Sequence, residues 1–243
     1  MKHLIFSDIH GNFEAFQAVL ASAKAKGYDR ALSLGDHVGY GANPNECIDA
    51  LLALPCQAAI QGNHDAAAVE PKERACFNTD AYAAILHTAG LLTESSRRFL
   101  ENLPLVYDDH PDFTGVHASP RDPDSWGYII DALEAAEVFH FMLKPVAFIG
   151  HSHVPCLFLE GGEIRPLHHG DTIRLQAGQR YIVNVGSVGQ PRDRDPRTAY
   201  VLYDDENKTV QFNRLIYDWN KAAVKIRTAG LPLALADRIT IGA

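Results

Sequence analysis

Seven side chains that could bind metal ions recur in short motifs spread along the chain. The motifs are Asp8-x-His10, Gly35-Asp36, Gly62-Asn63-His64-Asp65, the isolated His117 and Gly150-His151-x-His153. The candidate ligands are Asp8, His10, Asp36, Asn63, His117, His151 and His153. Carboxylate, amide and imidazole donors suit divalent Mn, Fe or Zn ions. Because these donors exceed what one ion could use, the sequence predicts a site for two divalent transition-metal ions.

The predicted site would carry positive charge within an acidic protein. The chain has 30 acidic and 22 basic residues and a formal net charge of −8. Two divalent ions bring four positive charges, of which Asp8 and Asp36 neutralise two. Such a pair of ions binds a phosphoryl group and activates water for in-line attack on phosphorus. The residues therefore predict a hydrolase that acts on phosphate esters.

His64 neighbours a candidate ligand in sequence but is not itself needed to bind metal. We therefore expect His64 to be the general acid that protonates the leaving oxygen. Asp65 is expected to orient the imidazole of His64 and to favour its protonated form. The alternative is that His64 is an ordinary surface histidine.

Short apolar runs predict buried strands, and the metal-binding motifs follow several of them. The runs are residues 4–6, 31–34, 58–60, 146–149 and 181–183. Asn12 and Asn43 are expected to cap helices after the first two runs, with Pro44 in the first helical position of the second helix. The alternation of strand and helix predicts a largely parallel sheet, with ligands beyond the carboxyl ends of its strands.

Residues 70–104 have a helical periodicity and predict an inserted helical segment. Asp80 and Thr93 are expected helix caps within this segment, and Gly90 is an expected helix end. Further helices are expected within residues 132–143 and 218–229, and strands and turns after residue 155 predict hairpins that form a second sheet. The tail after residue 232 predicts no element.

The composition fits a soluble globular protein, with residues 1–243 forming a single domain. The acidic net charge argues against strong nucleic-acid binding, which requires a basic face. The four cysteines lack the close spacing of zinc-binding pairs, and Cys47, Cys56, Cys76 and Cys156 are expected to be buried free thiols. No signal peptide and no apolar run of ~20 residues is visible, so a cytoplasmic protein without membrane contact is expected.

Together the motifs resemble those of the calcineurin-like metallophosphoesterase superfamily, whose pattern is D-x-H, G-D, G-N-H-[DE], H and G-H-x-H. The resemblance extends from Asp8 to about Tyr203. Residues 35–41, 117–123 and 184–193 further resemble a bacterial and archaeal branch labelled diadenosine-tetraphosphatase-like. The resemblance implies an α/β fold: a four-layer α-β-β-α sandwich of two mixed β-sheets flanked by helices.

The resemblance also implies how the ligands are shared between the ions. Asp8, His10 and His153 would hold the first ion, and Asn63, His117 and His151 the second. Asp36 would bridge the two ions. His37 and Val185 depart from the pattern of the branch. His37 is expected to point into solvent or to make a local hydrogen bond, the alternative being a substrate contact.

Several side chains outside the motifs could bind substrate. Arg121 and Arg192 could each bind a phosphate that extends past the metals, or could pair with the neighbouring Asp122 or Asp193. Tyr40 lies between two glycines and could face the cleft or form a tight turn. Aromatic residues that could stack on a base, or else pack in the core or at the rim, are Phe77, Tyr82, Trp126 and Tyr128. The adjacent His168 and His169 are expected to be exposed rather than metal-bound.

The substrate that these residues favour is a dinucleoside polyphosphate or a related nucleotide. A phosphodiesterase or a phosphoprotein phosphatase is the alternative within hydrolases, because the same two-metal centre could activate water against either substrate. A noncatalytic scaffold of the same fold is less favoured, since His64 and every candidate ligand are present.

Overall fold

The structure is a computed structural model that describes residues 1–55 and 57–243, so the prediction made for Cys56 lies outside the described residues. The strands are β1 Lys2–Phe6, β2 Arg30–Ser33, β3 Gln57–Ala59, β4 Val106–Tyr107, β5 Phe113–Val116, β6 Val146–Ile149, β7 Cys156–Leu159, β8 Ile164–Pro166, β9 Thr172–Arg174, β10 Tyr181–Asn184, β11 Thr198–Asp204 and β12 Thr209–Leu215. The α-helices are α1 Phe13–Lys26, α2 Pro44–Leu52, α3 Asn63–Val69, α4 Thr79–Leu91, α5 Glu94–Glu101, α6 Ala132–Phe139, α7 Trp219–Thr228 and α8 Leu233–Ile241. Short 3₁₀ helices span Pro71–Cys76 and Pro123–Ser125. All five apolar runs overlap strands.

The strands of the described residues form two mixed six-stranded sheets. The first sheet has the order β3-β2-β1-β11-β12-β9, in which β1, β2 and β3 are parallel. The second has the order β4-β5-β6-β10-β7-β8, in which β5, β6 and β10 are parallel. The prediction of one largely parallel sheet followed by a hairpin sheet is therefore wrong. The late strands instead complete both sheets, because β11 pairs with the edge of β1 that β2 leaves free.

Successive side chains of a strand face opposite sides of its sheet and so enter different cores. In β1, Phe6 packs in the core that α1, α7 and α8 cover, whereas Ile5 packs with Phe148 in the core between the sheets. On the far side of the second sheet, Val138 of α6 packs in one cluster with Ile182 of β10. These layers form the α-β-β-α sandwich that the resemblance implied, so the predicted fold is confirmed.

The helix caps agree only in part with the sequence predictions. Asn12 caps α1 by accepting a hydrogen bond from the amide of Ala15 at 3.2 Å, as expected. Asn43 precedes α2 but makes no cap bond, because its side chain donates to Glu46 at 2.7 Å and accepts from Lys225 at 2.9 Å.

Residues 70–104 contain a 3₁₀ helix, α4 and α5, and begin directly after α3, which the sequence analysis missed. Thr93 caps α5 as expected. The cap predicted at Asp80 is wrong, since Asn78 caps α4 and Asp80 lies inside the first turn. The end predicted at Gly90 is also wrong, because an isolated glycine near the end of a helix is tolerated and α4 continues through it.

The residues after 232, for which the sequence predicted no element, form helix α8. Leu235, Ala236 and Ile239 form a buried face of α8, which packs on α7. Among the cysteines, Cys47 is buried as expected, whereas Cys76 is exposed on the surface 3₁₀ helix, so that part of the prediction is wrong. No helix in the described ranges is both long enough and apolar enough to cross a bilayer.

Candidate metal centre

The predicted metal ligands lie at or just beyond the carboxyl ends of strands. Asp8 and Asp36 follow β1 and β2 of the first sheet, and His117 and His151 follow β5 and β6 of the second. Because each pair of strands is parallel, the two strand ends meet at one edge of their sheet. Asn63 begins α3, shortly after β3. This edge is where α/β proteins place their ligand sites.

The seven predicted ligands lie together in two groups that share one carboxylate. The first group is Asp8, His10, Asp36 and His153, and the second is Asp36, His117 and His151. Within each group the donor atoms lie within 4.8 Å of one another. Asn63 joins the second group, with its Oδ1 3.2 Å from Nε2 of His117. Except for the half-buried Asn63, all of these side chains are buried, and buried His and Asp clusters of this kind could hold metal ions.

The proton positions on the histidines fit metal binding. Three of them donate Nδ1–H to a backbone carbonyl: His10 to Val38 at 3.1 Å, His117 to Leu34 at 2.8 Å and His153 to Gln190. Since a carbonyl oxygen can only accept, Nδ1 carries a proton in each ring, and Nε2 is the nitrogen left to face the cluster. The Nε2 atoms of His10 and His153 lie 3.1 Å apart. Two lone pairs at this distance repel each other unless a cation lies between them.

An unpaired polar atom in the cluster points to the same conclusion. Among the described residues, Oδ1 of Asp8 is buried and has no hydrogen-bond partner. A buried polar atom without a partner costs about 1–3 kcal/mol. A bound cation would remove that cost, so the residues present fit a metal.

The backbone of the site is held in an unusual conformation. Positive φ angles occur at Asp8 (57°), His10 (50°), Asp36 (55°), His151 (63°) and His153 (60°). Non-glycine residues rarely adopt this left-handed region, and each instance costs on the order of 1–3 kcal/mol. The surrounding structure must stabilise these loops, and strain of this kind concentrates at functional sites.

The buried charges of the site shift one another's pKa. Burial raises the pKa of Asp36 to about 6. Burial lowers the pKa of His117, but the charge of Asp36 and a hydrogen bond to it outweigh that effect and raise the pKa to about 9. Burial and the charge of Arg192 lower the pKa of His153 to about 4. The carboxylates therefore attract positive charge, and a proton and a metal ion would compete for them.

His64 lies beside the cluster and is buried rather than on the surface. Its ring centroid is 4.7 Å from that of His10, 4.4 Å from that of Tyr40 and 4.7 Å from that of Phe77. Gly39 makes room for this ring, since a Cβ at position 39 would lie 2.4 Å from Nδ1 of His64. Burial, followed by the charge of Arg192, holds the pKa of His64 well below its usual value. The expected preference for the protonated form is therefore wrong for the protein without substrate.

Asp65 does not orient His64, contrary to the sequence analysis. Its carboxylate accepts hydrogen bonds from the amides of Asp36 at 2.8 Å, His37 at 2.8 Å and Gly62 at 3.0 Å, and from Nδ1 of His37 at 2.8 Å. These four bonds fill the carboxylate, so none remains for His64. Asp65 instead joins the loop that carries Asp36 to the start of α3. His37 makes a local hydrogen bond as expected, but it is fully buried rather than exposed.

A cavity of about 310 Å³ opens over the cluster and contains two of the proposed substrate contacts. Tyr40 and Arg192 both line it, and Nη2 of Arg192 donates to the Tyr40 hydroxyl at 3.3 Å and to Oε1 of Gln190 at 3.0 Å. Arg192 has no carboxylate partner among the described residues; Asp193 pairs with Arg214 instead.

The other candidate contacts are divided between the cavity and the outer surface. Arg121 does not line the cavity and pairs with Glu137 at 2.6 Å. Tyr82 is 43% exposed and also lies outside the cavity lining, whereas the other three aromatic candidates, Phe77, Trp126 and Tyr128, line it. His168 and His169 are exposed, as expected.

Sequence reasoning assigned no role to several residues that support or line the site. Ser187 Oγ donates to the backbone oxygen of Asp8 at 3.0 Å, and Asn184 donates to the backbone oxygen of Gly150 at 2.7 Å. Both lie in the segment 184–193, whose resemblance to the branch was the available signal. Lys72 of the 3₁₀ helix lines the cavity, and no motif marked it.

Comparisons with known proteins agree with this fold and site. The profile of the calcineurin-like phosphoesterase superfamily domain matches residues 1–208. An uncharacterised protein of Methanocaldococcus jannaschii is 36% identical over 242 residues, which cover 98% of this chain and 97% of the relative. A metallophosphoesterase from Sphaerobacter thermophilus is 36% identical, with a TM-score of 0.90 and full coverage of both chains.

A hypothetical protein from Pyrococcus horikoshii OT3 shares the fold at 21% identity, with a TM-score of 0.81 over 100% of this chain and 98% of that one. The matched profile covers every predicted ligand, and the relatives match the chain from end to end. The chain thus belongs to the calcineurin-like phosphoesterase superfamily and is a phosphohydrolase.

Proposed function

We propose that the clustered carboxylates and imidazoles hold two divalent ions and that the protein hydrolyses small phosphate esters or anhydrides. In this proposal Asp8, His10 and His153 would hold one ion, Asn63, His117 and His151 would hold the other, and Asp36 would be shared by both. The observation that carries the proposal is the 3.1 Å contact between the Nε2 atoms of His10 and His153, which is unfavourable between two neutral rings protonated at Nδ1 and which a bound metal ion would relieve. When bound, ions of the Mn, Fe or Zn type supply Lewis-acid activation of water and of the phosphoryl group.

Side chains of the chain itself would bind the phosphate and move a proton. Arg192 lines the cavity without a carboxylate partner among the described residues, so its guanidinium is available to a phosphate oxygen. Tyr40 and Gln190 hold that guanidinium in place. His64 lines the same cavity and would donate a proton to the leaving oxygen. Because its pKa is low in the free protein, the negative charge of a bound phosphate is needed to favour the imidazolium.

The substrate that we propose is a dinucleoside polyphosphate or a related nucleotide, as the resemblance of residues 35–41, 117–123 and 184–193 implies. The cavity of about 310 Å³ supports a small molecule over a phosphoprotein. A phosphodiester is the alternative substrate, since the same cluster of ligands serves either reaction. Free thiols at Cys47 and Cys156 are in keeping with action in the cytoplasm.

A substrate panel tests the proposal. Metal-free protein is reconstituted separately with Mn, Fe, Zn and Mg and offered diadenosine tetraphosphate, a cyclic nucleotide, a bis-aryl phosphodiester and a phosphopeptide. We expect metal-dependent turnover of at least one small compound and none without metal. Turnover of the phosphopeptide alone would reassign the protein to the phosphoprotein phosphatases. A metal-loaded preparation inert toward every compound would favour a noncatalytic scaffold.

A further inference from the structure

Trp126 lies next to the cluster of candidate metal ligands, and its backbone conformation is unusual for a residue with a large side chain. It follows the 3₁₀ helix Pro123–Ser125 and has φ of 56°, in the left-handed region. Its indole makes an edge contact with the ring of His117, with centroids 5.9 Å apart and planes at 73°. The side chain is half-buried and lines the cavity. The indole therefore borders the space that a phosphate bound at the cluster would occupy.

Core packing does not explain this conformation. A bulky residue at positive φ is an outlier that persists only where its surroundings maintain it. Trp126 belongs to none of the hydrophobic clusters of the described residues. Asparagine would adopt the same backbone conformation at lower cost. The backbone therefore does not account for the choice of tryptophan at this position, and its side chain must have another role.

Other aromatic rings surround the same cavity. Phe77 lies on the wall formed by the helical segment, where it contacts His64 edge to face with centroids 4.7 Å apart and planes at 86°. Tyr128 stacks on His151, with centroids 4.2 Å apart and planes at 23°, and is 50% exposed. The cavity lining thus combines the polar candidate ligands with several aromatic rings. This combination suits a ligand with a phosphate at one end and a planar ring at the other.

The size and charge of the cavity further restrict the kinds of ligand that it could bind. Its volume of about 310 Å³ lies at the lower end of the roughly 300–1,000 Å³ typical of small-molecule sites. Residues of the segment 72–81 form one side of its lining. Lys72 and Arg192 add cationic groups to the lining, and Glu73 adds one carboxylate.

We infer that Trp126 determines specificity by stacking on a planar ring of the substrate, so that the enzyme selects nucleotide-sized phosphate compounds over those without a base. This inference rests on the proposed function, because the phosphate end of the ligand is placed at the metal cluster. Base stacking on an aromatic side chain tolerates any of the bases, so the selectivity is for a ring and not for one particular nucleotide.

The test compares substrates that share a phosphate linkage and differ only in the presence of a base. The pairs are AMP with ribose 5-phosphate, and ADP with ribose 5-diphosphate. Trp126→Asn removes the ring while keeping a residue that accepts positive φ, and Trp126→Phe retains a ring. Tyr82→Ala is the matched control, since Tyr82 is an exposed aromatic residue outside the cavity lining.

For Trp126→Asn we expect kcat/KM of the base-containing compound to fall roughly 10-fold or more, mainly through KM, and that of its base-free partner to change less than about 2-fold. Trp126→Phe should recover most of the loss, and Tyr82→Ala should match the wild type. Equal losses on both members of a pair would overturn the inference and make Trp126 a support for His117. Turnover of a phosphopeptide but of no nucleotide would also overturn it while leaving phosphohydrolase activity intact. Failure of the proposed function would instead appear as no turnover by the metal-loaded wild type.

Discussion

Two buried clusters of His and Asp lie at opposite ends of the same strands. At one end, Asp8 follows β1 and His117 follows β5; at the other, His3 lies near the start of β1 and His110 shortly precedes β5. The second cluster is completed by Asp205, whose Oδ2 is 2.9 Å from Nε2 of His3 and 3.2 Å from Nε2 of His110. The three donor atoms lie within 4.8 Å of one another, so distance alone does not distinguish the two clusters.

The position of the ring protons does distinguish them. Nδ1 of His110 accepts a hydrogen bond from the amide of Asp112 at 3.2 Å, so the proton is on Nε2 and is donated to Asp205. Protons therefore link the imidazole and carboxylate at this end. At the other end, His10 and His153 have their protons on Nδ1 and face each other with lone pairs. One cluster is complete without a metal ion and the other is not.

Backbone strain and cavity size separate the two ends as well. Asp8 and His151 have positive φ, whereas His3, His110 and Asp205 do not. A cavity of about 680 Å³ adjoins the Asp205 cluster, more than twice the volume of the one over the candidate metal ligands. The larger cavity thus accompanies the cluster that has no unpaired nitrogen or oxygen. Hydrogen-bond chemistry, and not volume, identifies the functional end.

The largest contrast is expected from removing one carboxylate at each end. Asp36→Asn should lower the metal content and reduce turnover to background, because an amide has no charge to share between two ions. Asp205→Asn should retain both ions and wild-type turnover. Metal analysis and kcat of the two purified variants measure the contrast. Full metal content in Asp36→Asn, or metal loss in Asp205→Asn, would contradict the assignment.

His64→Ala should separate catalysis from metal binding at the active end. We expect metal content to remain and kcat to fall by ~10²–10⁴-fold, as is typical when a general acid is lost. The loss should be smaller for an aryl phosphate, whose leaving group needs no proton, than for an alkyl phosphate. An equal loss on both substrates would argue that His64 supports the site without transferring a proton.

The cations at the two ends should also differ in their effect. Arg192 has no carboxylate partner among the described residues, whereas Lys208, at the other end, pairs with Asp112 at 2.6 Å. Arg192→Gln should raise KM for a polyphosphate about 10-fold, in line with the loss of a charge-assisted hydrogen bond, and should raise KM for an aryl phosphate less. Arg121→Gln is the matched control at an arginine paired on the surface. A similar KM increase in both variants would remove Arg192 from substrate binding.

The Asp205 cluster should contribute to stability and not to catalysis. Asp205→Asn should lower the free energy of unfolding by about 1–3 kcal/mol, because the carboxylate accepts hydrogen bonds from two largely buried imidazoles. Denaturant unfolding of the wild type and the variant measures this difference. An unchanged free energy of unfolding would show that the cluster has no structural role.

The same variant should show a defined pH dependence. Burial alone would raise the pKa of Asp205, but hydrogen bonds from the Met1 ammonium, His3 and His110 outweigh it and lower that pKa. A carboxyl with a lowered pKa stabilises the fold above its ordinary value of about 3.9, and this stabilisation is lost as pH falls below it. The difference in Tm between the wild type and Asp205→Asn should therefore be largest above about pH 5 and shrink below about pH 4. A difference that grows on acidification would contradict this sign.

The clustering of the candidate ligands could be predicted from the sequence because each is a particular residue type at or near a strand end, where parallel strands bring distant loops together. The partners of Asp65 could not be predicted in this way. Its bonds to His37 and Gly62 depend on how the loop after β2 meets the start of α3, and sequence adjacency wrongly favoured His64.

Local sequence patterns could not predict the order of the strands in the sheets or the second cluster either. The mostly apolar sequence of β11 favours a buried strand without indicating which sheet it joins, and its pairing with β1 depends on the edge that the early strands leave open. His3 and Asp205 are 202 residues apart and carry no motif. Trp126 was visible as an aromatic residue, but its positive φ and its contact with His117 required the fold.

Anomalous diffraction from crystals of the Mn-reconstituted protein tests the central claim most directly. The account predicts two peaks roughly 3.5–4 Å apart, on either side of the Asp36 carboxylate, and none at the cluster of His3, His110 and Asp205. A peak at Asp205, or none between His10 and His153, would contradict it.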